Sequence, residues 1–176
     1  QVKKAACITN RDLGLIEAPH ADAIIQACGE IIEGGFHDQF AVDIFQAGAG
    51  TSHNMNCNEV IANRANEILG VPKGRYDPVH PNDTVNMSQS TNDFVPTAIR
   101  ITGLKLSHPL KDQLDALKKE FDNKANEFDS IIKAARTHLQ DAVPIRLGQE
   151  FSGYARSVEK HIKWIDNASV ELGEIG

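Results

Sequence analysis

The sequence has few of the features that mark membrane, secreted or zinc-binding proteins. No apolar run approaches the roughly 20 residues that cross a bilayer, and Lys3-Lys4 leads into no apolar core typical of a signal peptide. Cysteine is scarce, and Cys7, Cys28 and Cys57 lie far apart with no C-x-x-C pair. We therefore expect free buried thiols and a reducing, cytoplasmic location rather than disulfides or a zinc site.

Basic charge is also in short supply. The chain carries 18 Lys and Arg against 24 Asp and Glu, a formal net charge of −6, whereas nucleic acids and anionic membranes attract basic surfaces. Seven histidines occur, but none forms an H-E-x-x-H pair. The sequence therefore predicts no nucleic-acid partner, no membrane partner and no metal site.

Helical periodicity is the strongest pattern present, and strand patterns are almost absent. Residues 21–33 and 54–69 each carry apolar side chains along one stripe. Gly70 is expected to take the left-handed conformation that ends the second helix, and Pro72 prevents its continuation. Residues 37–49 favour no regular element.

The second half carries two apolar seams with heptad-like spacing. The first comprises Leu110, Leu114, Leu117, Phe121 and Phe128, and the second Leu147, Phe151, Tyr154, Val158, Ile162 and Ile165. Joined through residues 129–145, they predict an antiparallel pair of long helices, the first kinked or broken near Pro109. Two helices cannot cover both seams, so either other subunits supply the missing helices or the chain is a fragment.

Two polar clusters in the first half allow either a structural or a functional interpretation. Residues 48–56 precede a helix, where small residues and N–H groups favour a bound anion, although a plain turn capped by Thr51 or Ser52 explains them equally. No Gly-Lys-Ser/Thr follows, which excludes a Walker phosphate loop. Residues 89–93 fit either a capping box formed by Ser90 and Asp93 or a set of donors for a carboxylate.

A third cluster, residues 136–144, contains His138 in the connection between the long helices. A lone histidine in a loop is usually exposed and idle. Asp141 could orient the imidazole or simply cap the next helix. Spacing alone does not decide between these interpretations.

Together the clusters resemble the fumarase/aspartase superfamily, over residues 21–176. Three segments match in order: residues 50–51 with 54–63, residues 81–83 with 89–93, and residues 136–144 with 147–151. The resemblance implies a mainly all-α fold. Residues 1–89 would form an N-terminal lyase domain with a truncated start, and residues 90–176 the beginning of a central helical bundle, also truncated.

Details within the superfamily favour the aspartate ammonia-lyases. The Q-A-G-A-G-T-S of residues 46–52 and Thr91 in Q-S-T-N are typical of them, whereas class II fumarases usually have Q-T-G-S-G-T-Q and a second serine. Residues 79–83 and 151–154 are nearer the fumarases, which remain the alternative. Lyases of larger aspartyl adducts fit less well. A non-catalytic helical assembly module is a third hypothesis, and it leaves the polar clusters unexplained.

The resemblance also implies a reaction and a site. The family removes a proton beside one carboxylate of a small dicarboxylate (aspartate or fumarate) and expels ammonia or water, through an enediolate carbanion. Its substrate-binding positions correspond to Thr51, Ser90 and Thr91 at that carboxylate, Asn92 and His138 near the leaving amine, and Thr137 at the other carboxylate. A secondary anion site corresponds to His80, Asn82 and Asp83. No cofactor is required.

The same resemblance implies an assembly and missing parts. Family active sites are shared between subunits of a homotetramer, so Thr51 and residues 90–92 are expected from one chain, and Thr137 and His138 from another. The general-base serine is expected beyond residue 176. We therefore expect the 176-residue chain alone to be inactive.

Overall fold

The computed structural model describes residues 1–45 and 47–174. The chain divides into two compact units, residues 1–99 and 100–174. Its long elements are, in order, α1 (Val2–Asp12), α2 (Ala18–Ile32), α3 (Thr51–Ile68), α4 (Thr91–Glu127), β1 (Ile132–Thr137), β2 (Gln140–Arg146) and α5 (Leu147–Glu171). Two short helical turns, His37–Gln39 and Pro81–Val85, lie in the first unit. The mainly helical fold is as predicted.

The core of the first unit lies where α2 packs on α1 and α3. Ile24 is fully buried, and burying a side chain of this size stabilises the fold by roughly 1.5–3 kcal/mol. Around it the contact faces carry small or branched residues, which let the helices approach closely: Ala21, Ala27, Ala62, Ala65 and Val79.

The predicted helices at residues 21–33 and 54–69 correspond to α2 and α3, and Gly70 has the expected positive φ of +79°. Helix α1 went unpredicted because Lys3 and Asn10 occupy buried positions on its inner face and interrupt the apolar stripe. The thiols of Cys7 and Cys28 are free and buried. Burial raises the pKa of Cys28 to about 12, which keeps that thiol neutral.

In the second unit α4 and α5 run antiparallel, as predicted. Near the connection Phe128 packs edge-on against Phe151, with ring centroids 5.2 Å apart. Far from it Lys111 Nζ lies 2.6 Å from Asp166 Oδ1. Leu110 nevertheless remains 50% exposed, so the two helices do leave part of their seams uncovered.

The prediction of a helix break at Pro109 is wrong. Helix α4 runs through Pro109 from Thr91 to Glu127, because a proline removes only one hydrogen bond of a long helix. Since α4 contributes residues to both compact units, the domain boundary expected between residues 89 and 90 stays a prediction.

The expectation that strands are nearly absent is wrong for the connection. Residues 129–145 contain most of an antiparallel hairpin, in which Thr137 pairs with Gln140 and Lys133 with Ile145. Both faces of this hairpin are largely exposed, so its sequence lacks the alternation of apolar and polar residues that reveals a half-buried strand. Within the described ranges, no helix is both long and apolar enough to cross a membrane.

Candidate active site

The turn before α3 is built from residues with positive φ. Gly48, Ala49 and Gly50 have φ values of +136°, +48° and +87°, a conformation that glycine adopts without strain. Gly50 is the N-cap, and no side chain caps α3. The interpretation of Thr51 or Ser52 as the N-cap is therefore wrong. Thr51 is the first helical residue and is exposed.

The first turn of α4 is capped by a side chain. Ser90 Oγ accepts a hydrogen bond from the N–H of Asn92 at 3.2 Å. Asp93, the other member of the predicted capping box, instead accepts from Thr97 Oγ1 at 3.4 Å. Ser90 and Asn92 are exposed and Thr91 is half-buried, so this turn presents two hydroxyls and an amide in sequence.

The first turns of α3 and α4 are in direct contact. Asn54 Nδ2 donates to Thr91 Oγ1 at 2.9 Å, and a Cβ built on Gly50 would lie 2.9 Å from each methyl carbon of Val95. The structure therefore brings Thr51 and the Ser90–Thr91–Asn92 run to one place. Two helix N-termini, each with partial positive charge, meet there, and such a place favours a carboxylate.

A buried polar network lies behind these turns, and sequence reasoning missed it. Lys3, only 2% exposed, donates from Nζ to Asn86 Oδ1 at 2.8 Å, and Asn54 Nδ2 donates to the same oxygen at 3.2 Å. Lys3 Nζ also lies 4.3 Å from the centre of the Phe94 ring. Burial lowers the pKa of Lys3 to about 8. Its signature was present, because Asn54, Asn58 and Asn66 interrupt the apolar face of a helix.

His80, Asn82 and Asp83 lie together in one tight turn. His80 Nδ1 accepts hydrogen bonds from the N–H groups of Asn82 (3.2 Å) and Asp83 (3.0 Å) and so caps the Pro81–Val85 turn. The Tyr76 ring packs edge-on against the imidazole with centroids 5.3 Å apart. Asn82 and Asp83 are exposed. That the three residues bind an anion stays a prediction.

In the second unit, Thr137 ends β1, and His138 and Leu139 form the two-residue turn of the hairpin. Both turn residues have positive φ, +47° and +62°, as a tight hairpin turn requires. All three are exposed. Asp141 forms an ion pair with Arg136 across the hairpin, and α5 has Arg146 as its N-cap. Both roles considered for Asp141, orienting His138 and capping α5, are therefore wrong.

Among the residues that the structure describes, no group of three or more His, Cys, Asp or Glu side chains could hold a metal ion. The geometry instead offers short uncharged donors at adjoining helix starts. Residues 1–175 match a family model described as "Lyase".

This chain belongs to the lyase family.

The lyase chain is similar to proteins of two names. It is 55% identical over 174 residues to the aspartate ammonia-lyase of Bacillus subtilis and 54% identical over 175 residues to the class II fumarate hydratase of Halobacterium salinarum. Each match covers 99% of this chain and 37% of the relative. The chain thus spans less than half the length of these relatives, and the nearly equal identities do not separate the two names.

A solved structure matches closely as well. The fumarate lyase:delta crystallin of Brucella melitensis superimposes with a TM-score of 0.93 at 49% identity, covering 99% of this lyase chain and 40% of that protein. The predicted resemblance to the fumarase/aspartase superfamily is confirmed. The role of each site residue in this lyase stays a prediction.

Proposed function

We propose that the polypeptide carrying this segment is an aspartate ammonia-lyase, which converts L-aspartate reversibly to fumarate and ammonia. The observation that carries the proposal is the contact between the first turns of α3 and α4, which places Thr51 beside Ser90 and Thr91. Three neutral hydroxyls at two helix N-termini suit a carboxylate that gains a second negative charge.

The reaction explains why such donors are needed. A base takes the proton from the carbon beside one carboxylate, and the electron pair of that C–H bond spreads into the carboxylate as an enediolate. The pair then forms the new C=C bond as the C–N bond breaks and ammonia leaves. Donors held in place before the reaction stabilise the enediolate more than the substrate, and a single such donor contributes about 3 kcal/mol in enzymes that use them.

The remaining roles follow the superfamily pattern. Asn92 and His138 would lie near the leaving amine, and Thr137 would bind the second carboxylate. His138 projects from a solvent-exposed hairpin turn, where it is available to a neighbouring subunit. This fits active sites shared within a homotetramer. The general base would come from residues outside this chain, and a cytoplasmic location stays a prediction from the free cysteines.

Class II fumarate hydratase is the second candidate. It is favoured by the turn at His80, Asn82 and Asp83, which matches the fumarase wording, and by the relative from Halobacterium salinarum. A non-catalytic assembly module needs only the exposed seam of α4 and α5. That hypothesis gives no reason for the hydroxyls to meet at two helix starts.

The deciding experiment uses the full-length polypeptide that contains this segment. Ammonia release from L-aspartate is expected, with no hydration of fumarate in the absence of ammonia. Hydration of fumarate to malate without ammonia release would show a fumarase instead. Failure to bind succinate, together with neither reaction, would leave the assembly module. The 176-residue chain alone is expected to be inactive, and turnover of aspartate by it would contradict the assignment of the base to another segment.

A further inference from the structure

Asn54 joins the candidate site to the protein interior. It lies one turn into α3 and is 1% exposed. Its two amide hydrogens are both used, one toward Asn86 Oδ1 at 3.2 Å and one toward Thr91 Oγ1 at 2.9 Å. The side chain therefore acts as a double donor between the two helix starts and the segment that carries Asn86.

Lys3 decides which way these amides point. An ammonium group can only donate, so the Asn86 atom that faces Lys3 Nζ at 2.8 Å must be the oxygen. The atom of Asn54 that faces the same oxygen must then be its nitrogen. That nitrogen is also the atom nearest Thr91 Oγ1. The sense of each hydrogen bond, from Lys3 to Thr91, is thus fixed by a buried cation.

The sense of the last bond matters for Thr91. A hydroxyl has one hydrogen and two acceptor lone pairs. Because Asn54 donates to the oxygen, one lone pair is occupied and the hydrogen must be given to a different acceptor. Thr91 is the first residue of α4, so it has no preceding helical turn whose carbonyl could take that hydrogen. A carboxylate at the adjoining helix starts is a suitable acceptor.

The network is poorly suited to stability alone. Asn54 Oδ1 is buried without a hydrogen-bond partner in the part of the chain that the structure describes, and such an orphaned acceptor costs about 1–3 kcal/mol. None of the ion pairs within residues 1–45 and 47–174 joins Lys3 to a carboxylate. An apolar side chain at either position would avoid these costs.

We propose that Asn54, held in orientation by Asn86 and Lys3, is a positioning residue that directs the Thr91 hydroxyl hydrogen toward the substrate carboxylate. The proposal rests on the proposed function, because it takes the carboxylate at Thr91 from it. Asn54 itself does not touch the substrate. It acts through Thr91, and this dependence is what an experiment can measure.

The test is a double-mutant cycle in the full-length polypeptide. Asn54→Asp keeps the shape of the side chain but replaces the donor with an acceptor, so the Thr91 hydroxyl should donate to residue 54 rather than to the substrate. We expect kcat/KM for aspartate to fall 10- to 100-fold in Asn54→Asp and in Thr91→Val. In the Thr91→Val background, Asn54→Asp should change kcat/KM by less than threefold.

A matched control and a second variant separate positioning from folding. Asn63→Asp, on the same helix, removes a donor to the Glu59 carbonyl without reaching Thr91, and its effect should multiply with that of Thr91→Val. Asn54→Leu removes both the donor and the orphaned oxygen. It should lower kcat/KM at least tenfold while the thermal midpoint stays equal to that of the wild type or rises.

The outcomes distinguish this inference from the proposed function. An active enzyme in which Asn54→Asp and Thr91→Val multiply independently would overturn the inference alone. A protein that binds succinate without turnover would be tested by the same cycle on the succinate Kd, with the same non-additivity expected. Failure of the wild type to bind succinate would overturn both proposals.

Discussion

Gly50 lies against Val95 so closely that a Cβ at residue 50 would be 2.9 Å from both methyl carbons of Val95. Since Gly50 also has a φ of +87°, two independent requirements demand glycine at this position. Together they set how near the first turn of α3 can come to the first turn of α4. Thr51 follows directly, so its placement depends on this contact.

Replacing Gly50 by alanine should therefore cost more than replacing a glycine with the same backbone and free space. Gly50→Ala combines about 1–2 kcal/mol for a left-handed residue with about 1–3 kcal/mol for overpacking. Gly70→Ala has the first cost alone, because a Cβ there meets no atom within 4 Å. Urea denaturation should show this difference, and only Gly50→Ala should also weaken succinate binding. Equal losses in the two variants would contradict the role of the Val95 contact.

Much of the helical fold could be predicted from the sequence because α2, α3, α4 and α5 each carry a long periodic apolar stripe. Helix α1 and the β-hairpin could not. In α1 the buried face includes Lys3 and Asn10, which satisfy their polar groups through Asn86 and the Met87 carbonyl. These partners lie more than 70 residues away along the chain, and local periodicity contains no trace of them.

The candidate site was predictable where motifs run along one segment and not where residues meet across segments. The polar runs at residues 89–93 and 136–144 stand out in the sequence. The hydrogen bond from Asn54 to Thr91 spans 37 residues and depends on the packing of two helices. Gly148 is similar: its place in a motif was visible, but the reason for glycine is a Cβ that would lie 2.8 Å from Asp129 Cα.

Substitution of His138 should separate its chemical role from its conformational one. His138 has a φ of +47°, which asparagine tolerates better than alanine does. His138→Asn should therefore preserve the hairpin turn but lower kcat for aspartate by a factor of about 100, the lower range for loss of a group that acts in proton transfer or orientation. Circular dichroism should show unchanged helix content. Leu139→Asn, at the next turn position, serves as the control and should retain turnover. Unchanged kinetics in His138→Asn would remove His138 from the site.

Lys3 should give the protein a specific dependence of stability on pH. Its folded pKa of about 8 lies below the ordinary value of 10.5 because burial disfavours the ammonium. Below pH 8 both states are protonated and the folded state bears the full penalty, about 3 kcal/mol. Between pH 8 and 10.5 the folded state releases its proton first, so this penalty disappears and stability rises.

Comparison with Lys3→Met isolates this effect. Buried thiols, whose folded pKa values are raised, lower stability as pH increases above about 9. Because both proteins contain these thiols, their contribution cancels in the difference. The variant should be more stable at pH 7 in urea denaturation, and the difference should vanish by about pH 10.5. Its kcat/KM should nevertheless be lower, since the cation orients Asn86 and Asn54. A difference that stays constant across this range would show that Lys3 is not buried as an ammonium.

Trp164 should report whether the uncovered seam of α4 and α5 joins subunits. It is the only tryptophan of the 176-residue chain and is 61% exposed, so burial in an assembly would shift its fluorescence to shorter wavelength. We expect this shift to grow with protein concentration, in parallel with the sedimentation coefficient. Leu110→Glu places a charge on the seam and should prevent both changes, whereas Leu15→Glu, at a leucine of similar exposure in the first unit (54% against 50%), should prevent neither. A monomer at all concentrations with intact helices would mean that the seam is not an interface between copies, because apolar surface of this kind gains free energy only when another surface removes it from water.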